Sequence, residues 1–240
     1  MLTVNKTIHY FWFGGNPKSK LIEKCIASWR RYFPDFEIKE WNEENFDVRQ
    51  NSYISQAYDA KKYAFVSDYA RFKVLYDEGG LYFDTDVEVV KSFYDLLENE
   101  AFAAFETEKY IAPGLVLWAK EPGNRLIYEM LADYEKSDFI NPDGTLNQTT
   151  VGARFTNILK NYGIKPDDGT VQTCGSFTLY PREYFCPFND LTGVMNKTEN
   201  TCAVHWFAKS WLDKKVVYRS KITRIIHRFF GVDALARFRK

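Results

Sequence analysis

Several features are scarce in this 240-residue sequence. Its four cysteines form no C-x-x-C pair, so the sequence indicates neither a zinc ribbon nor a disulfide framework and fits a reducing cytoplasm. No basic segment followed by an apolar run opens the chain, and no apolar run reaches membrane-spanning length. We therefore expect a cytoplasmic protein that is neither secreted nor transmembrane. Because 32 basic residues balance 32 acidic residues, we also expect no nucleic-acid partner.

Apolar residues make up 45% of the chain, enough to form a substantial core. A strand at 7–13, a helix with an apolar stripe and a strand at 36–41 follow one another with short links. This alternation predicts an α/β fold with parallel neighbouring strands. We assign residues 1–212 to one domain and 213–240 to a basic tail, and we expect 166–200 to be irregular because turn-forming residues are frequent there.

The strongest chemical signal is the acidic cluster Asp84-Thr85-Asp86, which follows the apolar segment Leu81-Tyr82-Phe83. If the backbone stays extended, both carboxylates point to the same side. Mg²⁺ and Mn²⁺ take such oxygen ligands together with substrate phosphates. The alternative is a solvated turn, but apolar residues on both sides favour a strand, in which unpaired carboxylates need a charge partner.

A second pair precedes this cluster. Asp68 and Arg71 are one helical turn apart, so they share a face of the helix predicted over 64–78. A surface ion pair is one interpretation. However, the helix stops at Gly79-Gly80, directly before the acidic cluster, so this face can fold back towards a metal site. A guanidinium there would offer planar donors to phosphate or sugar hydroxyls.

Three ordered blocks resemble a known family. They are Ile8 to Gly15, the stretch from Ser67 to Asp86 with its DXD motif, and His205-Trp206 followed by Ser210-Trp211. Together they resemble the DXD-motif glycosyltransferases related to capsular-polysaccharide-synthesis enzymes and fungal initiating mannosyltransferases, which is glycosyltransferase family thirty-two. The glucosylating domains of large clostridial toxins are similar more remotely. The resemblance spans about residues 6–212.

This resemblance implies a GT-A type nucleotide-sugar-binding fold, with a mixed, mainly parallel central sheet flanked by helices. The family's functional positions fall on Asp68, Arg71, Asp84 and Asp86 for catalysis, on Phe11, Trp12, Phe13, Asp68, Arg71, Asp84, Ser210 and Trp211 for the donor, and on Asp84, Asp86 and His205 for the metal. The implied cofactor is Mn²⁺ or Mg²⁺.

Individual roles follow from the same resemblance. Trp12 would stack on the base, and the backbone of Phe11 to Phe13 would contact the edge of the base. Asp68 and Arg71 would hold the donor sugar or ribose. Asp84 would contact ribose and metal, while Asp86 would be the direct ligand. His205 would be a third ligand or a phosphate contact, and Ser210 and Trp211 would donate to the diphosphate. A core role for Trp12 and a structural role for His205 are the alternatives.

The family implies a retaining glycosyltransferase with a nucleotide-sugar donor, for which we favour a UDP-sugar over a GDP-sugar. The expected acceptor is a glycan or a lipid-linked glycan in surface polysaccharide synthesis, although 141–148 and 166–200 carry no motif that identifies it. One alternative is a metal-dependent phosphohydrolase, for which three histidines supply few ligands. The other alternative is a non-catalytic nucleotide-sugar-binding module.

The tail has a pattern of its own. Ile222, Ile225, Ile226 and Phe229 fall at helical spacing among basic residues, which predicts a basic amphipathic helix over 216–230. We expect this helix to dock on an anionic membrane surface, so that the protein would lie peripherally on the inner face of the cell membrane. Packing of the helix on the domain is the alternative.

Overall fold

The computed structural model describes residues 5–209 and 214–232. The strands are β1 (Thr7–Phe11), β2 (Glu37–Trp41), β3 (Gly80–Tyr82), β4 (Val87–Val89), β5 (Ala101–Ala104), β6 (Leu117–Ala119), β7 (Gln172–Cys174), β8 (Phe177–Tyr180) and β9 (Ala203–His205). The α-helices are α1 (Lys20–Tyr32), α2 (Ser52–Asp59), α3 (Tyr63–Glu78), α4 (Arg125–Glu135), α5 (Val151–Lys160), α6 (Arg182–Phe185) and α7 (Lys214–Phe230). A 3-10 helix covers Tyr94–Glu98.

A central sheet of seven strands has the order β2-β1-β3-β6-β5-β8-β7. β1 is parallel to β2 and β3, and β5 is parallel to β8. β6 is antiparallel to both β3 and β5, and β7 is antiparallel to β8. Within this seven-stranded sheet, all strands but β6 and β7 therefore point in one direction. This confirms the predicted α/β class with a mixed, mainly parallel sheet flanked by helices.

The two faces of the sheet are covered by different elements. Helices α2, α3, α4 and α5 contribute the core of one face, and α1, the 3-10 helix, α6 and the small β4–β9 sheet contribute that of the other. The predicted stripe of α1 is buried, and Ser19 caps the helix by accepting a hydrogen bond from the Ile22 backbone. Within this core, Trp29 Nε1 donates to Val87 O at 2.8 Å, which ties α1 to β4.

The structure corrects the expectation for 166–200, which contains β7, β8 and α6 rather than irregular chain only. These elements are three or four residues long, too short for a recognisable period. β8 is specified instead by its partner, since Phe177, Leu179 and Tyr180 are buried beside β5. α2, which is eight residues long, was also not predicted.

The tail forms the predicted helix, α7, over Lys214–Phe230. Within residues 5–209 and 214–232, no helix combines the length and apolar character required to cross a bilayer.

Candidate metal and donor site

The acidic cluster lies where the chain passes from the central sheet to the small sheet. Thr85 and Asp86 occupy a turn between β3 and β4, closed by a hydrogen bond from Val87 N to Asp84 O at 3.0 Å. The expected extended backbone through the cluster is therefore wrong. β-Turns accept most residues and favour Asp at their first position, so Gly, Pro or Asn is not required.

The turn nevertheless brings both carboxylates towards a histidine. Because β4 and β9 are antiparallel with Val87 opposite His205, the end of β9 lies beside the turn. The candidate ligand atoms of Asp84, Asp86 and His205 all lie within 4.8 Å of one another. His205 Nε2 is 3.2 Å from Asp86 Oδ1. Residues distant in sequence thus form one group able to hold a divalent cation.

Asp86 is held by several contacts besides His205. Its Oδ2 accepts a hydrogen bond from Ala208 N at 2.6 Å, and its carbonyl accepts one from Trp206 N at 3.0 Å. Burial alone would raise the pKa of Asp86, but the charge and hydrogen bond of His205 outweigh this effect and lower the pKa. Burial lowers the pKa of His205, yet the charge of Asp86 outweighs burial and raises this pKa well above its ordinary value. The pair therefore favours its ionised form.

Arg71 links the helix face to the acidic cluster. Its Nη2 donates to Asp68 Oδ1 at 2.7 Å, and its Nη1 lies 3.3 Å from Asp84 Oδ1. The guanidinium also packs 4.8 Å from the centre of the Tyr82 ring. Asp68 and Arg71 thus form the ion pair considered from the sequence, and the same arginine faces the acidic cluster. Burial raises the pKa of Asp68 to about 6 against the opposing charge of Arg71.

Gly114 explains how Asp84 is placed, and sequence reasoning missed it. Asp84 N donates to Gly114 O at 2.9 Å, and Tyr82 Oη donates to Asp84 Oδ1 at 2.6 Å. A Cβ atom at position 114 would lie 2.0 Å from Asp84 Oδ2 and 2.9 Å from Arg71 Nη1. Only glycine leaves room for this carboxylate. The contact joins positions 30 residues apart (114 − 84), so no local pattern indicates it.

Glu106 is a further acidic residue that sequence reasoning missed. It follows β5, which points in the same direction as β3, so Asp84 and Glu106 both lie beyond the carboxyl ends of their strands. Ligands of open α/β sheets bind at this edge. Burial raises the pKa of Glu106, and the charge of Asp84 adds to the effect, while His205 and Arg182 oppose it. The signal available in the sequence was the apolar run at 101–105, which ends just before this glutamate.

The opening block divides between the two faces of the sheet. Phe11 and Phe13 are buried in the core formed with α2 and α3. Trp12 is half-buried towards the opposite face, and its Nε1 donates to Asn16 O at 2.6 Å. Gly14 is explained by a protein contact, since a Cβ there would lie 2.4 Å from the Tyr63 ring. A close approach of a ligand is therefore not needed to account for this glycine.

Ser210 and Trp211, expected to contact the diphosphate, lie outside the described residues.

Comparisons with known proteins are consistent with this geometry. Residues 19–103 match the model of a family described as "Glycosyltransferase sugar-binding region containing DXD motif". The matched segment contains Asp68, Arg71, Asp84 and Asp86. No curated protein sequence matches the chain.

Among solved structures, the chain is similar to the PaToxG glycosyltransferase, with 20% identity, a TM-score of 0.48, and coverage of 66% of this chain and 69% of that one. It is similar to the galactosyltransferase LgtC in complex with donor and acceptor sugar analogues, with 13% identity, a TM-score of 0.47, and coverage of 90% and 93%. It is also similar to a glycosyltransferase involved in the glycosylation of the major capsid of PBCV-1, with 11% identity, a TM-score of 0.48, and coverage of 90% and 97%. These likenesses are partial.

Proposed function

We propose that this chain is a retaining, metal-dependent glycosyltransferase of the GT-A type. It would move a sugar from a nucleotide-diphosphate donor, UDP-sugar being favoured, to a glycan or lipid-linked glycan in surface polysaccharide synthesis. The observation that carries the proposal is the convergence of Asp84, Asp86 and His205, whose candidate ligand atoms lie within 4.8 Å of one another. Asp84 and Asp86 also lie in the segment that matches the sugar-binding region model. The catalytic domain would comprise residues 1–212.

The three candidate metal ligands fit a divalent cation. Two carboxylates and one imidazole, which would release its extra proton when the ion binds, leave coordination positions for the oxygens of a diphosphate. Carboxylate oxygens suit both Mg²⁺ and Mn²⁺, while imidazole suits transition metals, so the presence of His205 favours Mn²⁺. When bound, the ion would neutralise charge on the departing diphosphate.

Protein side chains would place the donor beside this ion. Arg71 is 3% exposed, and its guanidinium is fixed between the carboxylates of Asp68 and Asp84. Its other N–H groups are therefore held in one direction. Its Nη1 is buried without a hydrogen bond, which leaves it able to donate to a donor hydroxyl or phosphate oxygen. Asp68 would orient Arg71 and accept from a sugar hydroxyl. Trp12 would stack on the base.

The proposed reaction is a front-face displacement. The bond between the anomeric carbon and the phosphate oxygen breaks, and a bond from that carbon to the acceptor oxygen forms on the same face. The acceptor's hydroxyl proton passes to the departing phosphate oxygen, so the products are a glycoside and a nucleoside diphosphate. The chain's contribution is to position both substrates and to stabilise charge as it develops, with Arg71 beside the diphosphate.

The test is a panel of nucleotide sugars incubated with Mn²⁺ without acceptor, in which released sugar and nucleotide are quantified by chromatography. A glycosyltransferase should hydrolyse one donor slowly and release nucleoside diphosphate. Asp86→Asn should abolish this turnover without unfolding the protein. The reason is that Asp86 and the diphosphate would share one ion, and the substitution removes the carboxylate that binds this ion. Asp168→Asn, at an exposed turn, is the matched control and should be fully active.

Each alternative gives a different product pattern. A phosphohydrolase would release inorganic phosphate, and a non-catalytic module would bind nucleotide without releasing sugar even in the presence of acceptor. Within the described part of the chain, one group of three His, Cys, Asp or Glu residues is able to hold an ion. A two-metal phosphohydrolase site normally has more ligands. Turnover that persists in excess chelator would contradict the metal requirement.

A further inference from the structure

Helix α7 contacts the domain through its polar side. Arg224 donates from Nη2 to Asp190 Oδ1 at 2.5 Å and from Nε to Asp190 O at 2.9 Å. Its guanidinium also lies 5.0 Å from the centre of the Phe188 ring. Ser220 and His227, about one turn to either side, are half-buried as well. The inward side of α7 is therefore anchored by a partly buried ion pair.

The apolar side of α7 points away from the domain. Six apolar residues of α7 are exposed, and four of them line up on this side: Tyr218 at 66%, Ile222 at 46%, Ile225 at 61% and Phe229 at 74%. Their spacing of four, three and four residues places them within about 60° of one another on an α-helix. We call them the apolar stripe. A helix of a water-soluble domain normally turns its apolar side inward, so this orientation is reversed.

Basic residues border the apolar stripe on both sides. Lys221 and Arg228 each precede a stripe residue and lie along one edge, while Arg219 lies along the other. All three are exposed. Long cationic side chains at the edges of an apolar face can extend to lipid phosphates while that face enters the bilayer, and tyrosine is favoured at such an interface. This arrangement is typical of helices that lie in the plane of a membrane.

We propose that the apolar stripe of α7 inserts into the interfacial layer of an anionic lipid bilayer and makes the protein a peripheral membrane protein. A second copy of the chain fits the surface less well, because two copies joined through their stripes would bring the same basic edges together. The structure thus separates the two interpretations of the tail. Arg224 packs on the domain, and the stripe faces outward. The tail at 213–240 would act in addition to the catalytic domain.

The test is co-sedimentation of the full chain with vesicles. Vesicles of phosphatidylcholine containing phosphatidylglycerol should bind the protein at low salt and release it at high salt, whereas phosphatidylcholine alone should bind at least ten times less. Ile225→Ser combined with Phe229→Ser should reduce binding at least tenfold. The matched control is Ile140→Ser with Val171→Ser, which removes apolar residues exposed by 41% and 48% elsewhere and should bind like wild type.

Charge and stability separate the proposal from its rivals. Lys221→Gln with Arg228→Gln should weaken binding to anionic vesicles and flatten its salt dependence, while Lys165→Gln with Lys197→Gln should not. Because the stripe is exposed, its serine variant should keep the wild-type melting temperature and donor hydrolysis. Undiminished vesicle binding by that variant would overturn the proposal. So would a clear fall in its melting temperature, or a wild-type dimer that the variant disrupts in the absence of vesicle binding.

Discussion

The substitution Gly114→Ala tests whether the placement of Asp84 depends on one missing side chain. The new Cβ would lie 2.0 Å from Asp84 Oδ2, whereas ordinary contacts begin at 3.4 Å, so one of the two must shift by about 1.4 Å (3.4 − 2.0). The same atom would be 2.9 Å from Arg71 Nη1, so the guanidinium beside the carboxylate would be crowded as well.

A displacement of this size should be costly for turnover. A misplacement of about 1 Å at a reacting site can reduce a rate by about a hundredfold. We therefore expect Gly114→Ala to lower donor hydrolysis by about that factor and to weaken Mn²⁺ binding. Overpacking should also reduce the free energy of unfolding by about 1–3 kcal/mol. The measurements are initial rates of donor hydrolysis, calorimetric titration with Mn²⁺ and urea unfolding.

The control is Gly123→Ala. Gly123 has φ of 81°, so alanine strains the backbone there, but its Cβ would meet no atom within 4 Å. It should lose stability while keeping donor hydrolysis and Mn²⁺ affinity. If Gly114→Ala bound Mn²⁺ and hydrolysed donor like wild type, Asp84 would not be placed by this contact, and its role in the site would have to be withdrawn.

The remaining predictions concern the first strand and the residue that follows it. His9 is fully buried and its Nδ1 accepts from Trp41 Nε1 at 3.1 Å; burial lowers the pKa of His9 from 6.5 to about 4. The folded state favours the neutral ring, so its contribution to the free energy of unfolding is complete above pH 6.5. This contribution is lost as the pH falls towards 4, by about 3 kcal/mol for 2.5 pKa units. Urea unfolding across this range should show the fall, and His9→Gln should reduce it. Trp12→Ala should weaken UDP binding about tenfold or more, because base stacking is worth about 1–3 kcal/mol.

Two outcomes would contradict these expectations. Equal pH dependence in His9→Gln and wild type would assign the acid sensitivity to other groups. Unchanged UDP affinity in folded Trp12→Ala, measured by calorimetry, would make Trp12 a core residue. Tyr128→Ala, which removes an exposed aromatic ring on α4, is the control for nonspecific loss of an aromatic side chain.

Elements with a local sequence pattern were predicted, and elements defined by contacts with distant residues were not. α1 was predicted because Ile22, Cys25, Ile26 and Trp29 repeat at helical spacing and one surface buries them all. The three-residue β7 was missed because its place depends on pairing with β8. Short elements of this kind are defined by their partners, which a local pattern does not identify.

The site divided in the same way. The Asp68–Arg71 contact lies within one helix, and the i,i+3 spacing was sufficient to suggest it. The approach of Arg71 to Asp84 followed from the short link between α3 and β3. The turn through Asp86 was not foreseen, because the flanking apolar residues belong to two different sheets rather than to one continuous strand. Gly114 depends on a close backbone approach that only the folded chain shows.

The Asp190 carboxylate is shared by two segments. Lys209, which follows His205 by four positions, places its Nζ 2.6 Å from Asp190 Oδ2. Arg224 of α7 forms an ion pair with Asp190 Oδ1. A ligand that moves the segment after His205 would change the ion pair between Lys209 and Asp190. A surface that pulls on α7 would change the ion pair between Arg224 and Asp190. Coupling free energies are reciprocal. Under the proposed function, a carboxylate that transmits such shifts would let donor binding change how tightly α7 is held, and binding of the tail to a membrane would change donor affinity by the same factor.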